Sequence, residues 1–436
     1  MALRICGANI GKNSIFFKKI LILILFCDRI FFILYGGDYM YLSKKFSSVS
    51  PSTTLAIDAK FKEMKANGID VVGFGAGEPD FNTPEHICEA AIEAIKSGFT
   101  RYTPASGTIE LKEAVVKKFE RDNNLSYKKE NIVISNGAKH SLMNAFGAIL
   151  NPGDEVIIPT PCWVSYPEMV KLNDGVPVLL KATEEENFIV TAEKIEKAIT
   201  DKTRAIIINT PSNPTGMIYS EEELRKIAKL CVEKQIYVIS DEIYEHLIYG
   251  DKKHCSIASF GEDIKDLTII INGVSKTFAM TGWRIGYTAS NATIAKIMSN
   301  AQSHATSNPN SIAQKAALAA LEGPMDTVLS MKKEFEKRKD YMVERINSIE
   351  GVSCLMPGGA FYVMMNISKL IGKKINGKLI EGSDTFADLF LQEAKVAVVP
   401  CRGFDSDIHV RWSYATSIEN ITEGLNRLEA FINNLE

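Results

Sequence analysis

The sequence has no strong excess of charge and no cluster of cysteine or histidine. Its 50 Lys and Arg residues face 53 Asp and Glu residues, which leaves a net charge of −3. That balance gives no reason to expect nucleic acid or an anionic membrane surface as a partner. The eight cysteines form no Cys-x-x-Cys pair, and the six histidines are dispersed. We therefore expect no metal site, and thiols kept reduced in the cytoplasm rather than a disulfide framework.

Long apolar runs are also lacking. The apolar run at residues 20–27 has charged residues directly on both sides, and it is shorter than the roughly 20 residues that cross a bilayer. No clean small-residue cleavage site follows it, which disfavours a secretory signal. We interpret residues 1–39 as a non-native N-terminal extension, with translation beginning at Met40. A membrane-tethered form that uses residues 20–34 stays open as an alternative.

Two glycine-rich stretches resemble nucleotide-binding motifs but lack the context of those motifs. In residues 75–81, Glu78 and Pro79 stand where the helix of a dinucleotide-binding fold should begin. Residues 372–379 nearly match a P-loop, yet Leu379 occupies the position of the magnesium-binding Ser or Thr. We expect a loop at 75–81 that lets a substrate approach the backbone closely, and a polar loop at 372–379.

The order of apolar segments predicts an α/β fold. Between residues 132 and 289, short β-branched runs alternate with amphipathic helical stretches, and the last predicted strand covers 284–289. This pattern is typical of a mostly parallel sheet that is buried on both faces. After Gly323, a charged helix and short strands indicate a smaller α+β domain. A chain of 436 residues is long enough for two domains.

Polar segments follow four of the predicted strands, at 136–139, 212–216, 240–244 and 275–287. The carboxyl ends of parallel strands meet at one edge of a sheet, so these segments should lie together. Together they offer an anion-binding turn, an Asn amide, an Asp carboxylate, a Tyr hydroxyl, a Lys and an Arg. A lysine in a closed pocket can form a Schiff base, an arginine fork suits a phosphate, and a carboxylate can keep a ring nitrogen protonated. Pyridoxal 5′-phosphate (PLP) requires this set of groups.

The segment from Ser275 to Arg284, with the sequence SKTFAMTGWR, resembles the cofactor-lysine signature of the fold type I PLP enzymes. Within them it is similar to the class I aspartate aminotransferases of the bacterial type. The likeness runs from about Ser47 to the C-terminus, with further blocks at 77–81, 161–166, 211–216, 240–244 and 409–414. It implies a mostly parallel central sheet flanked by helices, in a large PLP-binding domain at 85–325. The smaller α+β domain would be built from both chain ends, 40–84 and 326–436.

The resemblance also assigns the cofactor contacts. Lys276 would form the Schiff base and move a proton, and Asp241 would pair with the pyridinium nitrogen. Asn213 and Tyr244 would hydrogen-bond the 3′-oxygen of the ring. The other expected cofactor-binding residues are Trp163 stacked on the ring, Arg284 and the turn Gly137, Ala138 and Lys139 at the phosphate, Ser275 beside the lysine, and Tyr102 reaching the cofactor of a neighbouring subunit. The active sites would then lie at the interface of a homodimer.

The substrate contacts follow from the same resemblance. Arg411 would bind the α-carboxylate, and Gly77 would let the substrate approach the backbone; Trp163 and Asn213 would also contact it. Lys139 matches a family lysine at the distal carboxylate of the substrate, which favours aspartate and glutamate. Ser50 replaces a lysine that is tied to prephenate in some members, so prephenate activity is not expected.

The resemblance implies the conversion of L-aspartate and 2-oxoglutarate to oxaloacetate and L-glutamate, in a ping-pong reaction through an internal aldimine and pyridoxamine phosphate. A broad-range, aromatic or alanine aminotransferase, or a PLP β-lyase, stays open on the same fold. A non-catalytic regulator with an aminotransferase-like domain is a further alternative. Residues 1–39 are too short and too apolar for the DNA-binding module that such a regulator carries. The insertion at 371–384 has no explanation from the sequence.

Overall fold

The computed structural model describes residues 42–51 and 53–436. The interpretation of residues 1–39 and the possible tether at 20–34 lie outside this range. Residues 42–49 belong to a unit of their own, which contains the short helix α1 (Lys44–Ser47). Residues from Ser50 to Glu436 form a second, compact unit. Among the described residues, no helix is both long enough and apolar enough to cross a membrane.

The helices and strands of the second unit alternate along much of the chain. Its helices are α2 (Thr53–Ala66), α3 (Glu85–Lys96), α4 (Ile109–Asn123), α5 (Ala138–Ile149), α6 (Ser165–Leu172), α7 (Ala192–Ala198), α8 (Glu221–Lys234), α9 (Glu262–Leu267), α10 (Ala292–Ala305), α11 (Ser311–Glu322), α12 (Asp326–Ser348), α13 (Ser383–Ala394) and α14 (Ile418–Asn433). Its strands are β1 (Val72–Gly73), β2 (Ile132–Ser135), β3 (Glu155–Thr160), β4 (Val176–Lys181), β5 (Thr203–Asn209), β6 (Tyr237–Asp241), β7 (Thr268–Gly273), β8 (Gly286–Ala289), β9 (Ser353–Cys354), β10 (Tyr362–Asn366), β11 (Lys374–Ile375), β12 (Lys378–Leu379), β13 (Val396–Ala397), β14 (Val399–Pro400) and β15 (His409–Ser413).

The central sheet has the strand order β2-β8-β7-β6-β5-β3-β4. Strand β8 is antiparallel to both of its neighbours, and the other pairs are parallel. Apolar residues of α5, α6 and α10 pack on one face, and residues of α7 and α8 pack on the other. Because both faces are covered, the inner strands carry continuous apolar runs such as Ile206–Ile208 of β5 and Ile269–Ile271 of β7. The predicted α/β class with a mostly parallel sheet is confirmed.

The last predicted strand begins later than its apolar pattern suggests. Arg284 has a φ of 58°, which is left-handed and incompatible with a strand. Strand β8 therefore starts at Gly286 rather than at residue 284. The turn places the Arg284 side chain beside the start of α5, where its guanidinium donates to the carbonyl of Asn136 at 3.3 Å.

A second, antiparallel sheet has the order β14-β15-β10-β9. Helices α12, α13 and α14 pack against it around Phe335, Phe390 and Trp412. Strand β1 pairs in parallel with β13, so that Val72 lies opposite Val396. The insertion at 371–384 contains the hairpin β11–β12 and the start of α13. The hairpin lies within residues 372–379, for which the sequence predicts a polar loop.

Candidate active site

A cavity of about 610 Å³ opens at the carboxyl ends of the central strands. Its volume lies within the range that is usual for cofactor and small-molecule sites. Most of the residues that the sequence predicts for the site line this cavity: Gly77, Ala138, Lys139, Trp163, Asn213, Asp241, Tyr244, Ser275, Lys276, Arg284 and Arg411. Strands separated by more than a hundred residues thus bring their polar ends together.

Two of the predicted residues do not line the cavity. Gly137 caps α5 with a φ of 84°, and a side chain at this position would overlap the guanidinium of Arg284. Glycine is therefore required at position 137 for two reasons: its backbone conformation and the close approach of the arginine. Tyr102 is 90% exposed and does not line the cavity, so this chain alone does not bring it to the site.

Lys276 lies just beyond β7, and its Nζ donates a hydrogen bond to the carbonyl of Gly77. Burial lowers the pKa of Lys276 to about 8; the carboxylate of Glu78 opposes the shift, and the charges of Arg411 and Arg284 add to it. A substantial fraction of neutral amine is therefore present near pH 8. A neutral amine is the nucleophilic form that attacks an aldehyde.

Asp241 ends β6 and is 4% exposed. The hydroxyl of Tyr166 donates to its Oδ2 at 2.7 Å, and the backbone N–H of Ile243 donates to its Oδ1 at 3.3 Å. Burial raises the pKa of Asp241 to about 6, and these two hydrogen bonds oppose the rise. Asp241 is thus a buried carboxylate that is still ionised at neutral pH, which suits a cationic ring nitrogen.

Arg284 and the start of α5 form an anion cradle. Arg284 Nη1 donates to the carbonyl of Thr281 at 2.9 Å, which fixes the direction of its fork. Its left-handed backbone costs on the order of 1–3 kcal/mol in a non-glycine residue. The free N–H groups at a helix N-terminus and a guanidinium together suit a phosphate.

Arg411 enters the cavity from the second sheet, on β15. Its Nη1 donates to Asn213 Oδ1 at 2.9 Å, and its Nη2 donates to the carbonyl of Gly75 at 3.0 Å. Its Nε is buried without a hydrogen-bond partner among the described residues. Because both of its partners are uncharged oxygens, the guanidinium keeps its charge available for a carboxylate.

Lys139 lines the cavity, with its Nζ 4.8 Å from the centre of the Trp163 ring. Partial burial lowers the pKa of Lys139, and the charge of Arg284 adds to the effect. Trp163 itself packs edge-on against Tyr166, with ring centres 5.4 Å apart. Lys139 therefore adds a cation to the lining of the cavity that also contains Arg411.

The sequence predicts no role for several residues of the cavity. Tyr362 is 1% exposed, and its hydroxyl lies 3.0 Å from that of Tyr244; its ring lies 4.3 Å from the Arg411 guanidinium. Glu78 accepts a hydrogen bond from Thr281 Oγ1 at 2.6 Å. Tyr166 falls inside the block 161–166 but has no predicted role. Only tertiary contacts reveal them.

The groups present fit PLP by their chemistry. The cavity combines an amine of lowered pKa with a buried carboxylate, and a glycine leaves room for an arginine at a helix N-terminus. These match the aldehyde, the ring nitrogen and the phosphate of that cofactor.

Comparisons with known proteins agree with this chemistry. Residues 69–428 match the family described as aminotransferase class I and II. An aspartate aminotransferase of Bacillus sp. (strain YM-2) is 51% identical over 90% of this chain and 99% of its own length. The crystal structure of the aspartate aminotransferase from Rhizobium meliloti superposes with a TM-score of 0.88 at 41% identity, over 91% of this chain and all of that one. The structure of the Thermus thermophilus aspartate aminotransferase with maleate superposes with a TM-score of 0.85 at 41% identity, over 90% of this chain and all of that one.

Proposed function

Because the chain belongs to the class I and II aminotransferases, we propose that it transfers the amino group of L-aspartate to 2-oxoglutarate. The fold is that of the fold type I enzymes, and the family is PLP-dependent. The observation that carries the proposal is the meeting of Lys276, Asp241 and Arg411 in one cavity. The products are oxaloacetate and L-glutamate, and the two substrates bind in turn.

The residues of the chain divide the chemistry between them. When bound, PLP supplies an electron-withdrawing ring that stabilises negative charge at the α-carbon of the substrate. Asp241 would hold a proton on the ring nitrogen, and Asn213 and Tyr244 would hydrogen-bond the ring oxygen. Arg284, Ser275 and the start of α5 would hold the phosphate. Lys276, which is neutral in part near pH 8, would hold the cofactor and then move the proton at the α-carbon.

Two cations orient the substrate. Arg411 would bind the α-carboxylate through its fork, and the carbonyl of Gly75 and the amide of Asn213 keep that fork in place. Lys139 would bind the distal carboxylate and so favour dicarboxylic substrates. Maleate, named with the Thermus thermophilus structure, is a dicarboxylate, and this supports the assignment. Trp163 and the backbone at Gly77 would complete the substrate site.

We further propose a homodimer whose active sites lie at the subunit interface. Tyr102 is 90% exposed, and exposed apolar side chains flank it along the chain at Ile92, Ile95 and Ile109. An exposed group of this kind is typical of an interaction surface. Tyr102 would then reach the phosphate in the neighbouring subunit. The division into a large domain at 85–325 and a small domain from 40–84 and 326–436 remains part of the proposal.

A substrate panel at equal cofactor loading tests the proposed specificity. Aspartate, glutamate, alanine, phenylalanine and cysteine would be compared as donors, with 2-oxoglutarate and prephenate as acceptors. We expect the highest kcat/KM for aspartate with 2-oxoglutarate, and little use of prephenate because Ser50 replaces a lysine. A higher kcat/KM for alanine or phenylalanine would replace the aspartate assignment. Release of sulfide from cysteine at a comparable rate would favour a β-lyase.

A further inference from the structure

A buried histidine–carboxylate pair lies next to Asp241. Glu242 Oε1 accepts hydrogen bonds from Ser240 Oγ at 2.8 Å and from Ser256 Oγ at 2.6 Å. Its Oε2 lies 2.8 Å from His254 Nε2. Glu242 is completely buried, and the side chain of His254 is 8% exposed. Glu242, His254 and the two serines do not line the cavity, so the pair lies outside the site described above.

Two consecutive buried carboxylates are unfavourable unless a cation balances one of them. Burial is the main cause of the raised pKa of Asp241, and the charge of Glu242 adds to it. Burial lowers the pKa of His254, but the charge of Glu242 and its hydrogen bond outweigh this, so the pKa is raised. The contact therefore favours the imidazolium, which can balance Glu242, and outweighs the cost of a buried Nδ1 that has no hydrogen-bond partner among the described residues.

We propose that His254 is a positioning residue for the cofactor: its positive charge neutralises Glu242 and thereby keeps Asp241 ionised opposite the ring nitrogen. The proposal rests on the PLP chemistry of the proposed function. It adds a residue that touches neither cofactor nor substrate, and that acts on Asp241 through Glu242. The role is electrostatic, because the two serine hydroxyls already hold the Glu242 side chain in place.

Other charged and titratable groups surround the two carboxylates. The groups that interact electrostatically with Glu242, His254 or their neighbour Glu245 are Lys118, Arg121, Tyr127, His246, Cys255 and Tyr287, and those that interact with Asp241 are Tyr166, Tyr244 and Lys276. Lys118 is ion-paired with Glu245, so these two charges offset each other. The side-chain ligand atoms of Glu242, Glu245 and His254 lie within 4.8 Å of one another, which is close enough to hold a metal ion. A metal ion is not needed to balance the two acids, because Lys118 and His254 already supply cations to them. His254 is left as the counterion of Glu242.

The test measures binding of pyridoxamine 5′-phosphate to the full-length enzyme after removal of its cofactor. This probe has an amine in place of the aldehyde, so its affinity does not depend on a covalent bond to Lys276. Binding should weaken as the pH falls and Asp241 takes up a proton. The variants are H254Q, E242Q and the double variant E242Q/H254Q, with H246Q as the matched control. His246 contacts Glu245 and Asp122 rather than Glu242.

H254Q should raise the midpoint of this pH dependence by about one unit, which makes binding about fivefold weaker at pH 6. E242Q/H254Q should restore the wild-type midpoint, because both charges are then absent. A structural role of His254 would not be rescued in this way. E242Q alone should leave the midpoint at or below the wild-type value, and H246Q should leave it unchanged.

An unchanged midpoint in H254Q, or a raised midpoint that persists in the double variant, would overturn the proposal. If H254Q does not fold, E242Q decides, since a raised midpoint in E242Q contradicts the role of the pair. Absence of probe binding by the wild-type protein would instead reject the PLP site itself. The two failures are therefore distinguishable.

Discussion

Arg411 donates a hydrogen bond to the side-chain oxygen of Asn213 at 2.9 Å, although 198 residues separate them in the chain. Asn213 follows β5 of the central sheet, and Arg411 lies on β15 of the second sheet. The contact joins the residue proposed for the substrate carboxylate to a residue proposed for the cofactor ring. Substrate and cofactor contacts are thus built as one unit, and the packing of two sheets sets their distance.

Replacement of Arg411 by lysine should lower kcat/KM for aspartate by about 10- to 100-fold, because a lysine cannot reproduce two parallel hydrogen bonds to a carboxylate. Steady-state kinetics with aspartate measure the effect. Arg225→Lys is the matched control, since Arg225 is exposed on α8, where it pairs with Glu221. Equal kcat/KM in the Arg411 variant and the control would contradict the assignment.

Replacement of Lys276 by alanine should reduce transamination by about 10³-fold or more, because the covalent link and the proton-transfer group are lost together. The cofactor should remain bound only non-covalently and should be removed by gel filtration. Lys229→Ala serves as the control, since the Lys229 side chain is 78% exposed. Normal turnover by the Lys276 variant would rule out the mechanism.

Cofactor uptake should depend on the protonation of Lys276. Burial lowers the pKa of this amine to about 8, so its neutral fraction falls about tenfold for each pH unit below that value. The rate at which cofactor-free protein regains its absorbance with PLP should therefore rise with pH and level off above about pH 8. A rate that keeps rising up to pH 10 would show that the amine has an ordinary pKa.

Replacement of Lys139 by methionine should reduce the preference for dicarboxylic substrates. We expect the ratio of kcat/KM for aspartate to that for alanine to fall about tenfold, since one charge-assisted contact to the distal carboxylate is lost. Methionine keeps the contact area over Trp163. The activity with alanine acts as an internal control, and an unchanged ratio would remove Lys139 from the substrate site.

The buried ion pair between Lys118 and Glu245 should contribute to stability. Lys118→Met leaves Glu245 buried without its cation, which should lower the free energy of unfolding by about 3–5 kcal/mol. The pKa of Glu245 falls to about 2, since the cations of Lys118, His246 and His254 outweigh burial, which acts to raise it. A lowered pKa means that this contribution is complete above the ordinary value near 4.5 and is lost as the pH falls toward 2.

Urea unfolding at several pH values measures both effects. The double variant Lys118→Met with Glu245→Gln should recover part of the lost stability, because Glu245 is then no longer a buried charge without its partner. A Lys118→Met protein as stable as the wild type would contradict the expectation. So would a Glu245→Gln protein that loses as much stability between pH 4.5 and pH 2 as the wild type.

The sequence by itself determined the strands and the polar residues at their ends. A strand that is buried on both faces needs a continuous apolar run such as Ile206–Ile208. Comparable apolar runs end shortly before Asp241 and Lys276. The segment from Ser275 to Arg284 is local, so its likeness to a cofactor signature needs no knowledge of distant contacts. The α/β class and the family could therefore be predicted before any coordinates were known.

The tertiary structure decided what each polar group touches. Tyr166 and Tyr362 carry no local signal, because tyrosine is equally common in apolar cores, and only sheet packing brings them to Asp241 and Tyr244. The counterion of Glu242 is twelve residues away in an irregular loop, at a spacing that no helix or strand period predicts. Tyr102 stays a prediction, since its proposed partner lies in another subunit. Local periodicity sets which face a residue occupies, whereas the pKa of a buried group depends on neighbours that only the folded chain supplies.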